Sequence, residues 1–122
     1  MDAKTHAKLE TRARIMRALA HPSRLFMIEQ LAGGERCVCE LTEMVGSDIS
    51  TVSKHLSILK SEGIVRDEKR GAQVFYSITD FRVLRFVRQI ELLLAHMLEN
   101  QMKAADVPQS RVGFAQFLRR TP

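Results

Sequence analysis

The 122-residue sequence predicts a mainly α fold with a β-hairpin wing, a winged helix-turn-helix, and three observations predict it. Two short helical patterns are separated only by the turn Ser47-Asp48-Ile49-Ser50. Two β-prone runs follow them directly, with the period of a hairpin. A long amphipathic pattern then completes the order helix, helix, short helix, helix, hairpin, long helix.

The first helix is read over residues 7–20, where Leu9, Ala13, Met16 and Ala20 recur at helical spacing among Lys and Arg. "HPSRLFMIEQLAGG" is a stop and a restart. Pro22 suits a first turn, where its missing N–H is no loss, and His21 before it suits a cap. Leu25, Ile28 and Leu31 form the stripe of this second helix, and Gly33-Gly34 ends it. "CELTEMVG" is a short helix closed by Gly46. In "TVSKHLSILKSEG" the residues Val52, Leu56 and Leu59 fall at i, i+4 and i+7 on one buried face, and Gly63 closes the helix. Ile64-Val65-Arg66 and Gln73 to Ile78 are the two β runs, flanking the charged turn "DEKRGA". From about Asp80 to Gln101, Val83, Phe86, Val87, Ile90, Leu94, Met97 and Leu98 make an unusually wide apolar stripe. Residues 1–102 are expected to form one DNA-binding and dimerisation domain. Residues 103–122 are a weakly patterned tail in which Phe114, Phe117 and Leu118 are candidates to dock.

Composition narrows the function classes. Nineteen basic against fourteen acidic residues give a net charge of +5, which favours a polyanionic partner such as nucleic acid. No apolar run approaches 18 residues and the N-terminus is charged throughout, so no spanning helix, no secretory signal and a cytoplasmic location are expected. In a reducing compartment the two cysteines are not expected to form a structural disulfide. No phosphate-cradling glycine loop and no cysteine paired with an evident histidine base are present, so an enzyme is not expected.

The helix "STVSKHLSILK" has one greasy face and one of small hydroxyl and cationic side chains, which suits close approach to a DNA groove. Ser50, Thr51, Ser53, Lys54, His55, Ser57 and Lys60 are its candidate DNA contacts. Lys69, Arg70 and Gln73 are those of the hairpin, where charge would raise affinity and salt sensitivity without reading sequence. Taken alone, each could be a solvated face or a solubilising turn; both in this order favour DNA. The wide last stripe is more apolar surface than a small monomer can bury, so a homodimer is expected, with two recognition helices one DNA turn apart.

Both cysteines lie in "ERCVCELT". An isolated C-x-C is more often incidental than metal-binding, because closed sites want about four ligands. Taken with "LAHPSRLFMIEQL", "STVSKHLSILKSEGIV" and "RDEKRGAQVFYSI", however, "CVCEL" resembles the ArsR/SmtB metalloregulators, winged-helix dimeric repressors of bacteria and archaea. The resemblance runs from about Ala13 to Leu98. It implies a repressor of a metalloid-resistance operon whose inducer is ligated by Cys37 and Cys39, and soft thiolates favour As(III), Sb(III), Cd(II) or Pb(II). Positions i and i+2 lie about 200° apart around a regular helix. Chelation is therefore expected to unwind or reshape the segment leading into Glu40-Leu41-Thr42 and so move the recognition helix.

Three departures from the family pattern qualify this. Where many arsenite sensors of this kind carry a third cysteine, this sequence has Thr42, leaving a two-sulfur site suited to trivalent organoarsenicals as well as to arsenite and antimonite. The extra ligands that cadmium-type members draw from the N-terminal arm reduce here to His6. The zinc-type site on the last helix keeps only Asp80 and His96, with Arg82 and Leu93 at the other positions, and is rejected. A response to thiol oxidation or reactive sulfur is the alternative to a soft ion.

Overall fold

The structure, a computed structural model, describes residues 1–106. Two compact units divide at Arg85 and Phe86, inside the last helix. The first contains every element of the expected DNA-reading unit.

Helix α1 spans Ala3–Leu19 and is capped by the Asp2 carboxylate, which accepts the Thr5 N–H at 2.7 Å. Helix α2 spans Pro22–Leu31 with Pro22 in its first turn, and the His21 ring is its cap, Nδ1 accepting the Ser23 N–H at 3.1 Å. Strand β1, Arg36–Cys37, leads straight into α3, Val38–Val45, and Gly46 closes α3 at φ +77°, in the left-handed region that glycine enters without penalty. Helix α4 spans Ile49–Ser61, with Asp48 as its cap accepting the Thr51 N–H at 2.7 Å. Strands β2, Val65–Arg70, and β3, Gln73–Ile78, form the hairpin, and α5 runs from Arg82 to Asp106.

Three differences from the sequence expectation have physical causes. Asp67 to Arg70 are strand, not turn: the reversal is made by Gly71-Ala72 alone, with Gly71 at φ +62°, the conformation a two-residue hairpin needs at its first position. The sheet has three strands in the order β1-β3-β2, because Arg36 and Cys37 pair antiparallel with Tyr76 and Phe75. The last helix continues four residues into the expected tail, through Lys103, Ala104 and Ala105 to Asp106; these include good helix formers, and Lys103 lies in the last turn, where a cation meets the negative end of the dipole. Phe114, Phe117 and Leu118 lie outside the described residues.

The core of the first unit is built by α2, α3, α4 and the hairpin. Met27, Ile28, Leu41, Val52, Leu56 and Leu59 have no exposed surface, and Leu31, Ile64 and Val65 almost none. Burying a side chain of this size is worth about 1.5–3 kcal/mol, so this cluster fixes the position of α4. Within α5, Ile90, Leu94, Met97 and Leu98 keep about half their surface in solvent despite their helical spacing. Among the described residues no helix is long and apolar enough to cross a membrane.

Candidate nucleic-acid interface and thiol site

The tight link between α3 and α4 is made by two local devices, the left-handed Gly46 and the Asp48 cap. The Asp48 carboxylate accepts from the Thr51 N–H and from the Ser50 hydroxyl at 3.0 Å, which holds its carboxyl below the usual range. With Val52, Leu56 and Leu59 turned inward, the opposite side of α4 presents Ser50, Thr51, Lys54, Ser57 and Lys60, all exposed. Short hydroxyls beside a solvated cation are what a helix approaching a groove requires. Ser53 is half-buried on the flank.

His55 faces α2, and its Nδ1 lies 3.0 Å from Arg24 Nη1. A guanidinium can only donate, so Nδ1 accepts and the proton sits on Nε2. The same guanidinium spans three elements, donating also to the carbonyls of Ala18 at 2.5 Å and Arg17 at 3.3 Å. The His21 ring packs tilted against that of His55, with centroids 4.3 Å apart. One cation thus joins the end of α1, α2 and the middle of α4, and only His55 Nε2 is left for an outward contact. Nothing in the periodicity marks Arg24 for this role; it occupies an ordinary first-turn position.

Burial, then the neighbouring His21 and Arg24, push the His55 pKa below its ordinary value. The folded chain therefore prefers neutral His55. Its contribution to stability is complete above the unfolded pKa of about 6.5 and is lost as pH falls through the lower, folded value. The melting temperature is expected to fall as pH drops below about 6.5. His55→Asn, whose carbonyl oxygen can still accept from Arg24 without titrating, should flatten that slope in thermal melts across the same window. Equal slopes in both proteins would count against this coupling.

The hairpin is less cationic than its sequence suggests. Arg70 donates to both Glu35 oxygens, at 2.5 and 2.9 Å, and to Glu68 at 2.7 Å, and its guanidinium lies over the Phe75 ring at 4.8 Å. Lys60 reaches Asp67 at 2.9 Å. Lys69 and Gln73 are exposed at the tip. Exposed ion pairs are worth at most about 1 kcal/mol, so Arg70 and Lys60 can exchange their carboxylates for phosphates. Residues 21–80 carry seven basic and nine acidic side chains, so this region is net −2 in a chain of net +5.

The thiol site lies at the junction of the sheet and the helix-turn-helix. Cys37 ends β1 and caps α3: its Sγ accepts the Glu40 N–H at 3.3 Å while the Glu40 carboxylate accepts the Cys37 N–H at 3.3 Å, a reciprocal capping box. Arg36 steadies this corner, donating to the Gln30 carbonyl and pairing with Glu40. Cys37 is buried and Cys39 exposed. The two sulfurs are joined in a disulfide with the Cα atoms 5.3 Å apart. This corrects two expectations, that the cysteines stay unbonded and that helical geometry keeps them apart. Cys37 has the extended backbone of a cap, φ −75° and ψ 157°, so the 200° offset of a regular helix does not apply and the sulfurs meet with α3 fully wound. Unwinding is therefore not needed to bring both to one ligand.

The Thr42 hydroxyl donates to the Val38 carbonyl at 2.7 Å, inside its own helix. His6 is exposed on the first half of α1. Among the described residues no group of three or more His, Cys, Asp or Glu is placed to hold a metal. Asp80 is engaged by Arg82 at 2.6 Å, which lowers its pKa to about 2, and His96 lies 3.2 Å from Asn100.

A short α3, a tight turn, a polar-faced α4 and an adjoining antiparallel hairpin define the chain as a winged helix-turn-helix protein. Residues 21–67 match the family of bacterial regulatory proteins described as arsR. An uncharacterized HTH-type transcriptional regulator of Methanocaldococcus jannaschii is 38% identical over 87 residues, 70% of this chain and 98% of that protein. The HTH-type transcriptional repressor SmtB of Mycobacterium tuberculosis is 37% identical over 79 residues, 65% of this chain but only 58% of the repressor. Among solved structures, the homodimeric winged helix-turn-helix DNA-binding domain of a possible ArsR-family regulator from Mycobacterium bovis is similar with a TM-score of 0.72. Identity is 31%, over 81% of this chain and 92% of that one. The transcriptional repressor BigR from Xylella fastidiosa gives a TM-score of 0.64 and 29% identity over 76% of this chain and 96% of that one. The chain belongs to the arsR family, whose members are transcriptional regulators and not enzymes.

Proposed function

We propose that this protein is a homodimeric transcriptional repressor that binds operator DNA through α4 and the hairpin and is released by chemistry at Cys37 and Cys39. The observation that carries the DNA reading is the outward face of α4, where Ser50, Thr51, Lys54 and Ser57 stand exposed over a fully buried Val52, Leu56 and Leu59. The exposed stripe of Ile90, Leu94, Met97 and Leu98 supports the dimer, as do Leu9 and Met16 on α1. Sedimentation at micromolar concentration is expected to give twice the chain mass, and a labelled duplex from the protein's own upstream region should be retarded at lower concentration than a random duplex. A monomer, or equal retardation of both duplexes, would contradict the proposal.

Two inducer chemistries follow from the thiol corner. The first is a trivalent arsenical or Sb(III), held by the reduced pair with its remaining position filled by hydroxide, a cellular thiol or an organic group; Cd(II) and Pb(II) are the softer-ion alternatives, with His6 available as a further donor. Its support is the donor set, two soft sulfurs at one helix end with Cys39 open to solvent. The second is oxidation, in which two thiols and a peroxide give the disulfide and two waters. The specific observation favouring it is the Cys37–Cys39 bond itself. Release of reduced protein from DNA by arsenite or phenylarsenite, but not by peroxide, would select the first; the reverse would select the second.

A further inference from the structure

We propose that the exposed face of α1 carrying Lys4, Lys8 and Arg12 is a second DNA contact, one that holds the phosphate backbone and reads no sequence. The inference rests on the DNA-binding reading above.

The region holding the helix-turn-helix and the hairpin is net −2, so the electrostatic attraction that supplies most non-specific affinity cannot come from that region as a whole. Most cations of the described residues are already engaged. Arg14 pairs with Glu62, Arg17 with Glu10, Arg36 with Glu40, Lys60 with Asp67 and Arg70 with Glu35 and Glu68. On α5, Arg82 pairs with Asp80, Arg88 with Glu91 and Lys103 with Glu99, while Arg85 lies over the Phe81 ring. Lys4, Lys8 and Arg12, like Lys54 and Lys69 of the expected interface, have no such partner among the described residues, and all are exposed.

Their spacing puts them together. Positions i, i+4 and i+8 drift by only about 40° per step, so the three cations form one stripe on the N-terminal half of the helix. Leu9, Ala13 and Met16 centre about 100° away around the same helix, so an apolar face used against a second copy leaves the cationic stripe free. The stripe is also tied to the reading helix. The C-terminal half of α1 is held to the end of α4 by Arg14–Glu62 and, through Arg24, to its middle by the bracket from the Ala18 and Arg17 carbonyls to His55. A polyanion bound along α1 would therefore act on the same compact unit that presents α4. Charge complementarity selects the DNA backbone as occupant.

The test is the salt dependence of DNA binding by the full chain, wild type against Lys4→Gln/Lys8→Gln/Arg12→Gln, on operator and random duplexes. Removing one phosphate contact should make the slope of log K against log salt shallower by about 0.9, so the triple variant should differ by up to about 2.7 per protomer. Affinity should fall by a similar factor for the two duplexes, because phosphate contacts carry no sequence information. Helix content by circular dichroism and dimer mass by sedimentation accompany the titration. An unchanged slope overturns the proposal. So does a weakened dimer with an unchanged slope, which would assign the stripe to an acidic face of a second copy. Should the triple variant lose helix content, Lys4→Gln alone, at the start of α1, must still change the slope by about 0.9. A wild-type chain that binds neither duplex would instead refute the DNA-binding reading itself.

Discussion

With Cys37 and Cys39 both changed to serine, the protein is expected to hold operator DNA as tightly as the wild type and to lose its response to arsenite, phenylarsenite and peroxide alike. The first half follows from what Cys37 does in the fold. Its Sγ is the acceptor that caps α3, and a serine hydroxyl is a preferred acceptor at that position, so the box with Glu40 survives the exchange. Cys39 is exposed, and serine there buries no unpaired group. Relative to the reduced wild type, stability should therefore change by no more than about 1 kcal/mol, which is the range of a cap exchange. The second half follows because both inducer chemistries need sulfur, and no other cysteine exists in the chain. Single variants then divide the two readings. One sulfur can still be oxidised to a sulfenic acid but cannot close the disulfide, and one thiolate gives a soft ion only half its anchor. Fluorescence anisotropy of a labelled operator duplex follows each case. Release of the double serine variant at the wild-type inducer concentration would remove Cys37 and Cys39 from the sensing role.

How that site could be read from sequence turns on a single residue. The angular offset between i and i+2 assumes that both cysteines lie inside a helix. The helix begins at Val38, one residue later than that assumption requires, so Cys37 has extended backbone and the expected sulfur separation reverses. Helix boundaries depend on cap geometry, and Cys is not among the residues whose preference for a cap position would announce it. The same holds for β1: a two-residue strand has no period, and only its partner β3, nearly forty residues later, makes it a strand. The pairing of Arg70 with Glu35 is likewise set by folding, so Arg70 reads as a free cation at the wing although it is occupied. What is legible is what repeats. Val52, Leu56 and Leu59 announce α4 and its buried side, and through it which side chains face outward. The alternating runs of the hairpin and the stripe of α5 are legible for the same reason, with errors confined to their ends.

The two sides of α4 make opposite predictions, and together they test whether this helix is a reader held by its core. Leu56 has no exposed surface and sits between Val52 and Leu59, also without any, at the centre of the packing of α4 on the rest of the unit. Truncating it removes three carbons from a site walled by other helices, where collapse is restricted. Leu56→Ala is expected to lower stability by about 2–5 kcal/mol. Native stabilities are about 5–15 kcal/mol, so urea unfolding at fixed protein concentration should show a midpoint far below that of the wild type. DNA binding would fall in proportion to the unfolded fraction, for operator and random duplex together. Lys54 is exposed on the other side and makes no ion pair among the described residues. Lys54→Ala should therefore change stability by no more than about 0.5 kcal/mol. If Lys54 meets a base edge, operator binding should weaken by about 1–3 kcal/mol, with a smaller loss on random DNA. If it meets phosphate alone, both duplexes should weaken alike and the salt slope should drop by about 0.9. A Lys54→Ala variant that binds both duplexes with wild-type affinity and slope would show that the outward face of α4 is not what touches DNA, however well Leu56 holds it in place.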